Sequence, residues 1–260
     1  MIFQPLVSII TTAYNYERYL GDLVRSIVAQ DYENWEWIVV DDCSDDNPGK
    51  ILNQHRDTRI QYIRLGENMG YSYAKNVGIR ASKGTYIVMI DADDMLVPES
   101  LSLRLRTLRL HPNKLWIHAK ALKCDRNGIL KSKCIDSNNK KRKECKKKGV
   151  NLAIQYDHRL VHAQTVMVRR RFHTVLGLYD ETLRFSSDNE MWRRAIRFGY
   201  IPSYIPHPVS IYRIHNKRMS RSSYKKKRVA KTKIYIKAVV EKRFKEGINS
   251  NNTMLLGAIE

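Results

Sequence analysis

The sequence predicts an α/β fold: a Rossmann-like, doubly wound and mostly parallel central sheet flanked by helices. Two observations carry that expectation. The first ninety residues alternate short apolar runs with amphipathic stretches, joined by short connections, in the order β-α-β-α-β-α-β. Two of the apolar runs end abruptly in acids, residues 35–40 in Asp41 and Asp42, and residues 86–90 in Asp91, Asp93 and Asp94. A continuous apolar run bounded by glycine and acids is how a buried parallel strand looks, and open α/β sheets bind their ligands at strand carboxyl ends.

Each element has its own signal. Residues 6–12, LVSIITT, form the first strand, and the polar turn 13–17 leads to a helix over 19–30 with Leu20, Leu23, Ile27 and Val28 on one face. The second strand, 35–40, precedes a helix over 48–55 and a third strand over 60–65. A turn at 67–70 opens a helix over 72–81, which Gly84 is expected to end as a C-terminal glycine. The fourth strand, 86–90, follows. Beyond it the leucine pattern of 98–110 predicts a helix, 115–122 a strand and 125–128 a hairpin turn. A strand at 164–168, a short helix around Phe172 and a helix from 186 to 198 come next. Residues 200–212 read as strand and turn, broken by Pro202, Pro206 and Pro208. Residues 136–149 read as a flexible basic loop, and 222–245 as a basic helix with Val229, Ile236, Val239, Val240 and Phe244 as its apolar stripe.

Composition narrows the partners. The net charge is +21 over 260 residues, but residues 1–100 carry −6, residues 101–160 carry +13 and residues 213–260 carry +11. An acidic first half suits a site that holds a cation. A basic second half is most simply a solvated surface; otherwise it suggests an anionic partner. The cysteines, Cys43, Cys124, Cys134 and Cys145, form no CxxC pair, and the histidines lack zinc-finger spacing. No secretion signal and no 18-residue apolar window is present, so the expectation is a cytoplasmic, reducing location without a membrane span. Neither GxGxxG after the first strand nor GxxxxGK[ST] occurs, which disfavours a dinucleotide oxidoreductase and a P-loop NTPase.

Three carboxylates at one strand end repel one another. A divalent cation with hard oxygen ligands, Mn²⁺ or Mg²⁺, shared with a phosphate relieves that repulsion. The simpler reading is an acidic turn before a helix capped by Ser100 or Asp94.

The blocks VSIITTAYN, IVVDDCSDD and ENMGYSYAKNVGIRASKGTYIVMIDADD stand in order over residues 6–94. With this order and spacing the chain resembles glycosyltransferase family 2, whose fold is GT-A. Gly177–Glu181, Ser187-Asp188 and the block Tyr212-Arg213-Ile214-His215 resemble the family's acceptor-side and terminal segments. Two departures stand out: Cys43 replaces the glycine of the usual DDGS turn, and Ser187 replaces the acid that usually precedes Asp188.

The resemblance implies an inverting transfer of sugar from a UDP-sugar to an acceptor hydroxyl. It assigns Asp93 as a metal ligand, Asp91 to ribose or a metal-bound water, and Asp94 to the sugar pocket, with Ala92 between them. His215 becomes the third protein ligand or a phosphate contact. Thr12, Tyr14 and Glu17 would line the base site, and Asp41 or Asp42 would accept the uracil N3–H. Asn68, Gly70 and Lys75 fall near ribose and phosphate, although Lys75 reads equally well as an exposed helix residue. Asp188 is the candidate general base, with Glu190 second and an N-cap aspartate as the bland alternative. The division expected is a donor half over 1–97, an acceptor half over 98–221 and a basic helical extension over 222–260. For the acceptor two readings stand beside plain surface: nucleic acid, such as DNA with a modified base, gripped by Lys140–Lys148 and Lys225–Arg228, or a lipid-linked or cell-surface glycan met on an anionic membrane. A decayed GT-A module that only binds glycan or nucleic acid is the non-catalytic alternative. A nucleotidyltransferase would need a Gly-rich basic loop after the first strand, which TTAYNYE is not.

Overall fold

A computed structural model describes residues 4–135, 161–183 and 186–216. The basic loop expected at 136–149, the basic helix expected at 222–245 and both lysine runs lie outside those residues. The first half forms β1 (Val7–Ala13), α1 (Glu17–Val28), β2 (Trp35–Asp41), α2 (Pro48–Asn53), β3 (Ile60–Arg64), α3 (Tyr71–Ala81) and β4 (Tyr86–Met89). The second adds β5 (Met95–Leu96), α4 (Ser100–Leu110), β6 (Trp116–Cys124), β7 (Leu130–Ile135), a 3-10 turn (Ala163–Thr165), β8 (Met167–Arg169), α5 (Arg171–Leu176), α6 (Ser187–Arg197) and β9 (Ser203–Arg213).

One sheet runs β3-β2-β1-β4-β8-β6-β9-β5, with β7 added to β6. The first four strands are parallel, and β4 meets β8 antiparallel. The order 3-2-1-4 reverses direction between β1 and β4, which opens a crevice at their carboxyl ends. Strand alternation splits the core in two. Ile9, Trp37 and Val88 pack with Leu20, Leu23 and Ile27 of α1 and Leu101, Leu105 and Leu108 of α4. Ile10, Ile38 and Ile87 face the other way, onto Ala74 and Ile79 of α3, Phe172 of α5 and Trp192 of α6. Trp192 stacks on Trp116 of β6 at 5.0 Å between ring centroids, which anchors α6 to the sheet.

Three expectations change. Gly84 does not cap α3: Ser82 ends the helix in extended backbone. The glycine is needed because a β-carbon there would lie 2.5 Å from Ser8 N and 2.8 Å from Leu6 O. Gly84→Ala is therefore expected to cost about 1–3 kcal/mol, read as a lower midpoint in urea unfolding. The prolines do not break the last strand. β9 runs unbroken through Pro206 and Pro208, because register shifts on either side of Lys120 absorb them. Neither Ser100 nor Asp94 caps α4; the N-cap is Glu99, without a side-chain bond, and Asp94 is used elsewhere.

Cys43 keeps a left-handed backbone, φ 62°, where the family places glycine. That conformation costs a non-glycine residue roughly 1–2 kcal/mol. Cys43→Gly is accordingly expected to raise the thermal midpoint, and an unchanged or lower midpoint contradicts the strain.

Candidate active site

The crevice has a floor built from loop-to-loop hydrogen bonds. Asn15, left-handed at φ 61°, exchanges bonds with Asp45 and donates its backbone N–H to Ser44 Oγ. Glu17 Oε2 accepts from Asn47 N at 2.9 Å, so Glu17 ties the start of α1 to the loop after β2. Thr12 is half-buried at the end of β1, and Tyr14 is exposed beside it. Asp41 is fully buried and spent: it accepts from Ser44 N, from the Tyr62 hydroxyl at 2.6 Å and from Arg64 at 2.9 Å. Burial and that bond push the Tyr62 phenol up to about 12. Asp42 accepts one backbone N–H on each oxygen, from Met69 at 2.8 Å and Gly70 at 2.9 Å, while Asn68 donates to its carbonyl. Gly70 starts α3 at φ 92°, ψ 160°, a backbone shape only glycine takes freely.

The acid cluster stands at the end of β4. Carboxylate oxygens of Asp91, Asp93 and Asp94 lie within 4.8 Å of one another. Ala92 between them turns into the core. Asp94 is fully buried; one oxygen accepts from Arg213 N at 2.9 Å and the other has no hydrogen-bond partner. Burial and then the Asp93 and Asp91 charges push its carboxyl far above the usual range. Asp91 accepts from the Tyr71 hydroxyl at 2.6 Å. Its carboxyl is pushed up to about 6, by burial first, with Lys75 opposing and Asp93 and Asp188 adding to it. His215 Nε2 lies 2.8 Å from Asp93 Oδ2, and its buried Nδ1 has no hydrogen-bond partner. Its ring packs on Tyr19 at 4.7 Å and meets the edge of Tyr16 at 5.8 Å.

This donor set fits a hard divalent cation. Carboxylate oxygens converge, one is buried without a proton donor, and an imidazole nitrogen adjoins them. Raised carboxyl pKa values also make a stability prediction. A carboxyl with its folded pKa above its unfolded value favours the fold when protonated, and that contribution is lost as pH rises through the folded value. Without divalent metal, the Asp91 contribution is expected to be lost between about pH 4 and 6, while buried His173, its ring held down to about 4, contributes in the opposite sense; the difference in midpoint between the parent and Asp91→Asn is therefore the quantity expected to fall over that range. A parent-minus-variant difference that rises over that range contradicts the cluster's electrostatics.

Arg213, which the sequence offered only as part of a block, is the hub. It is buried, donates from Nε to Asp93 O at 2.8 Å, from one terminal nitrogen to Asp22 at 2.6 Å on α1, and from the other to Arg126 O at 3.2 Å in the β6–β7 turn. Tyr71 and Asp22 were likewise not singled out. The legible signal for Tyr71 was its i, i+4 spacing to Lys75 on one helix.

The acceptor side is set by α6. Asp188 lies in its first turn but does not cap it; the N-cap is Ser186, left-handed at φ 63°, with no side-chain bond. Asp188 is ion-paired with Lys75, which is buried rather than exposed. Glu190 is fully buried and bonded to Arg194, whose guanidinium also holds the Leu176 and Leu178 carbonyls. That buried pairing makes Glu190 part of the α6 frame. Lys75 and Asp188 thus join the acid cluster at one crevice, while Asp41 and Glu17 serve its walls.

A mixed α/β sheet with an acid cluster at the switch point matches the GT-A scaffold of sugar-nucleotide transferases. The family model for glycosyl transferase family 2 matches residues 8–174, and the chain belongs to that family. The putative teichuronic acid biosynthesis glycosyltransferase TuaG of Bacillus subtilis is 39% identical over 105 residues, 40% of this chain and 42% of the relative. The uncharacterized glycosyltransferase RP339 of Rickettsia prowazekii is 32% identical over 215 residues, 82% of this chain and 65% of the relative. The chain therefore spans less than two thirds of the length of both. Among solved structures, S. aureus TarS 1–349 in complex with UDP-GlcNAc superposes with a TM-score of 0.65 at 20% identity, over 84% of this chain and 61% of that one. The mannosyltransferase PcManGT from Pyrobaculum calidifontis, in complex with GDP-Man and Mn²⁺, gives 0.61 at 17% identity, over 83% and 59%. These likenesses establish the fold. No helix among the described residues is long and apolar enough to cross a membrane.

Proposed function

We propose that this chain transfers a sugar from a UDP-sugar to an acceptor hydroxyl with inversion at the anomeric carbon. The observation that carries the reading is the convergence of Asp91, Asp93, Asp94 and His215 with Asp188 and Lys75 around one crevice. Asp93 and His215, with Asp91 beside them, would hold Mn²⁺ or Mg²⁺, whose chemistry is to neutralise charge on the departing diphosphate. Asp94 shapes the sugar pocket through its bond to Arg213 N. Asp188 takes the acceptor proton as the hydroxyl oxygen bonds to the anomeric carbon and the bond to phosphate breaks. One base opposite the leaving group needs no covalent intermediate.

Uridine is favoured because a carboxylate accepts from its imide N3–H. Asp42 is the better placed of the two acids: Asp41 meets three donors, two of them on one oxygen, whereas each Asp42 oxygen accepts a single N–H and keeps a lone pair. The TarS complexes with UDP and UDP-GlcNAc support the same donor class; the GDP-Man complex of PcManGT marks the competing one. Thr12, Tyr14 and Asn68 complete the donor side. For the acceptor, the relative named for teichuronic acid biosynthesis supports an anionic glycan over nucleic acid. The intact acid cluster and Asp188 weigh against a decayed binding module.

The test is a panel of UDP-sugars and GDP-mannose with Mn²⁺, offered glycan acceptors and glucosylatable DNA, read by mass spectrometry. A UDP-sugar turned over onto a glycan supports the reading; turnover of GDP-mannose alone sinks the donor assignment, and a labelled DNA product sinks the acceptor preference.

A further inference from the structure

α3 turns Ser72, Lys75 and Asn76, at i, i+3 and i+4, toward the segment that carries Asp188. Ser72 Oγ donates to Leu183 O at 2.6 Å. Asn76 zips the helix to Tyr179, donating to its carbonyl and accepting from its N–H, both at 2.9 Å. Lys75 lies between these two clasps, 1% exposed. Its Nζ stands 4.0 Å from the centroid of the Tyr71 ring and 4.8 Å from that of Tyr179, and it is bonded to Asp188 Oδ1. Burying an ammonium is costly unless its charge is met, and two ring faces and a carboxylate meet it here. Asp188 receives nothing from the N-cap of its own helix.

We propose that Lys75 is the positioning residue for Asp188, clamping Oδ1 so that Oδ2 faces the acceptor, and is not itself a donor ligand. The inference rests on the reading of Asp188 as the base. With Oδ1 held, the proton from the acceptor hydroxyl goes to Oδ2, the acceptor oxygen forms its bond to the anomeric carbon, and the electron pair of the broken bond leaves with UDP. A lysine packed between two rings, on a helix clasped by Ser72 and Asn76 on either side of it, has one geometry, so the carboxylate it holds does too.

The test uses the full chain with UDP-GlcNAc, Mn²⁺ and water as acceptor. Lys75→Met is expected to lower kcat at least 30-fold while KM for UDP-GlcNAc and the Kd of UDP stay within twofold. Lys75→Arg is expected to recover kcat to within tenfold of the parent. Because Lys75 acts through Asp188, the double variant Lys75→Met/Asp188→Asn should be no slower than Asp188→Asn alone. A UDP affinity at least tenfold weaker in Lys75→Met makes Lys75 a donor ligand and overturns the proposal, as does a double variant slower than Asp188→Asn by the full single-variant factor. Should Lys75→Met fail to fold, Lys75→Gln carries the same comparisons. A parent chain that neither binds UDP nor hydrolyses any UDP-sugar removes the functional reading itself, and this inference with it. An Asp188→Asn variant as fast as the parent removes the base. Parent-like kcat in Lys75→Met, with Asp188→Asn inactive, removes the clamp alone.

Discussion

Asp188→Asn is expected to slow sugar transfer by roughly 10²–10⁴-fold, the usual contribution of a positioned general base. Asparagine keeps the size and the hydrogen bond to Lys75 but has no basic oxygen to take the acceptor proton. Affinity for UDP should stay within twofold, because the groups proposed to hold the donor lie at the ends of β1, β2 and β4 and Asp188 lies on α6. Glu190→Gln is the control. Glu190 is fully buried and paired with Arg194, which holds the turn after α5. Its loss should appear in the unfolding midpoint, with the rate per folded molecule close to that of the parent. The opposite pattern, a slow Glu190→Gln and a fast Asp188→Asn, would reverse the assignment. Steady-state rates with separately measured UDP binding decide it.

Arg213→Met is expected to lower stability by about 3 kcal/mol, the low end for breaking a buried ion pair. The low end applies because Asp22 is partly open to solvent, its side chain 31% exposed, while Arg213 is 1% exposed. For a chain of this size that is a fall of roughly 6–12 °C in thermal midpoint. The effect on the site should exceed that of a mere loss of stability. Arg213 bonds the Asp93 carbonyl, its backbone N–H holds Asp94, and it reaches α1 and the β6–β7 turn. One guanidinium thus fixes the acid cluster against two other elements, α1 and the β6–β7 turn. Mn²⁺-dependent UDP binding, measured at a temperature where the variant is fully folded, is expected to weaken at least tenfold. Thermal unfolding by circular dichroism and calorimetric binding check the two halves separately. A variant with parent-like midpoint and binding would leave Arg213 without the role its contacts assign.

The parallel half was legible because its signals are local. Apolar runs of four to seven residues, each ended by acids or a turn, fix strands whose side chains are buried on both faces, and β1, β2 and β4 agree with that pattern to within a residue or two. What was not legible depends on contacts across the chain. Gly84 looked like a helix stop, but its need comes from Ser8, 76 positions away. The prolines of β9 looked like breaks because proline removes a ladder donor; a register shift opposite Lys120 makes room for them, and a shift leaves no mark in one strand's sequence. The site shows the same division. The acids at the end of β4 announced themselves by spacing, and His215 by the block around it. Lys75 was legible only as a candidate near ribose and phosphate, with exposed surface an equal alternative, because a lone lysine on an amphipathic helix is usually solvated. Only the packing of Tyr71 and Tyr179 around its ammonium shows where its charge goes.

The most direct measurement is hydrolysis of UDP-GlcNAc by the parent chain and by Asp93→Ala, each with Mn²⁺ and with chelator. Metal-dependent turnover by the parent, at least 100-fold above that of Asp93→Ala, is the expected result. Equal rates in the two proteins, or turnover indifferent to chelator, would contradict a cation-held sugar nucleotide at the end of β4.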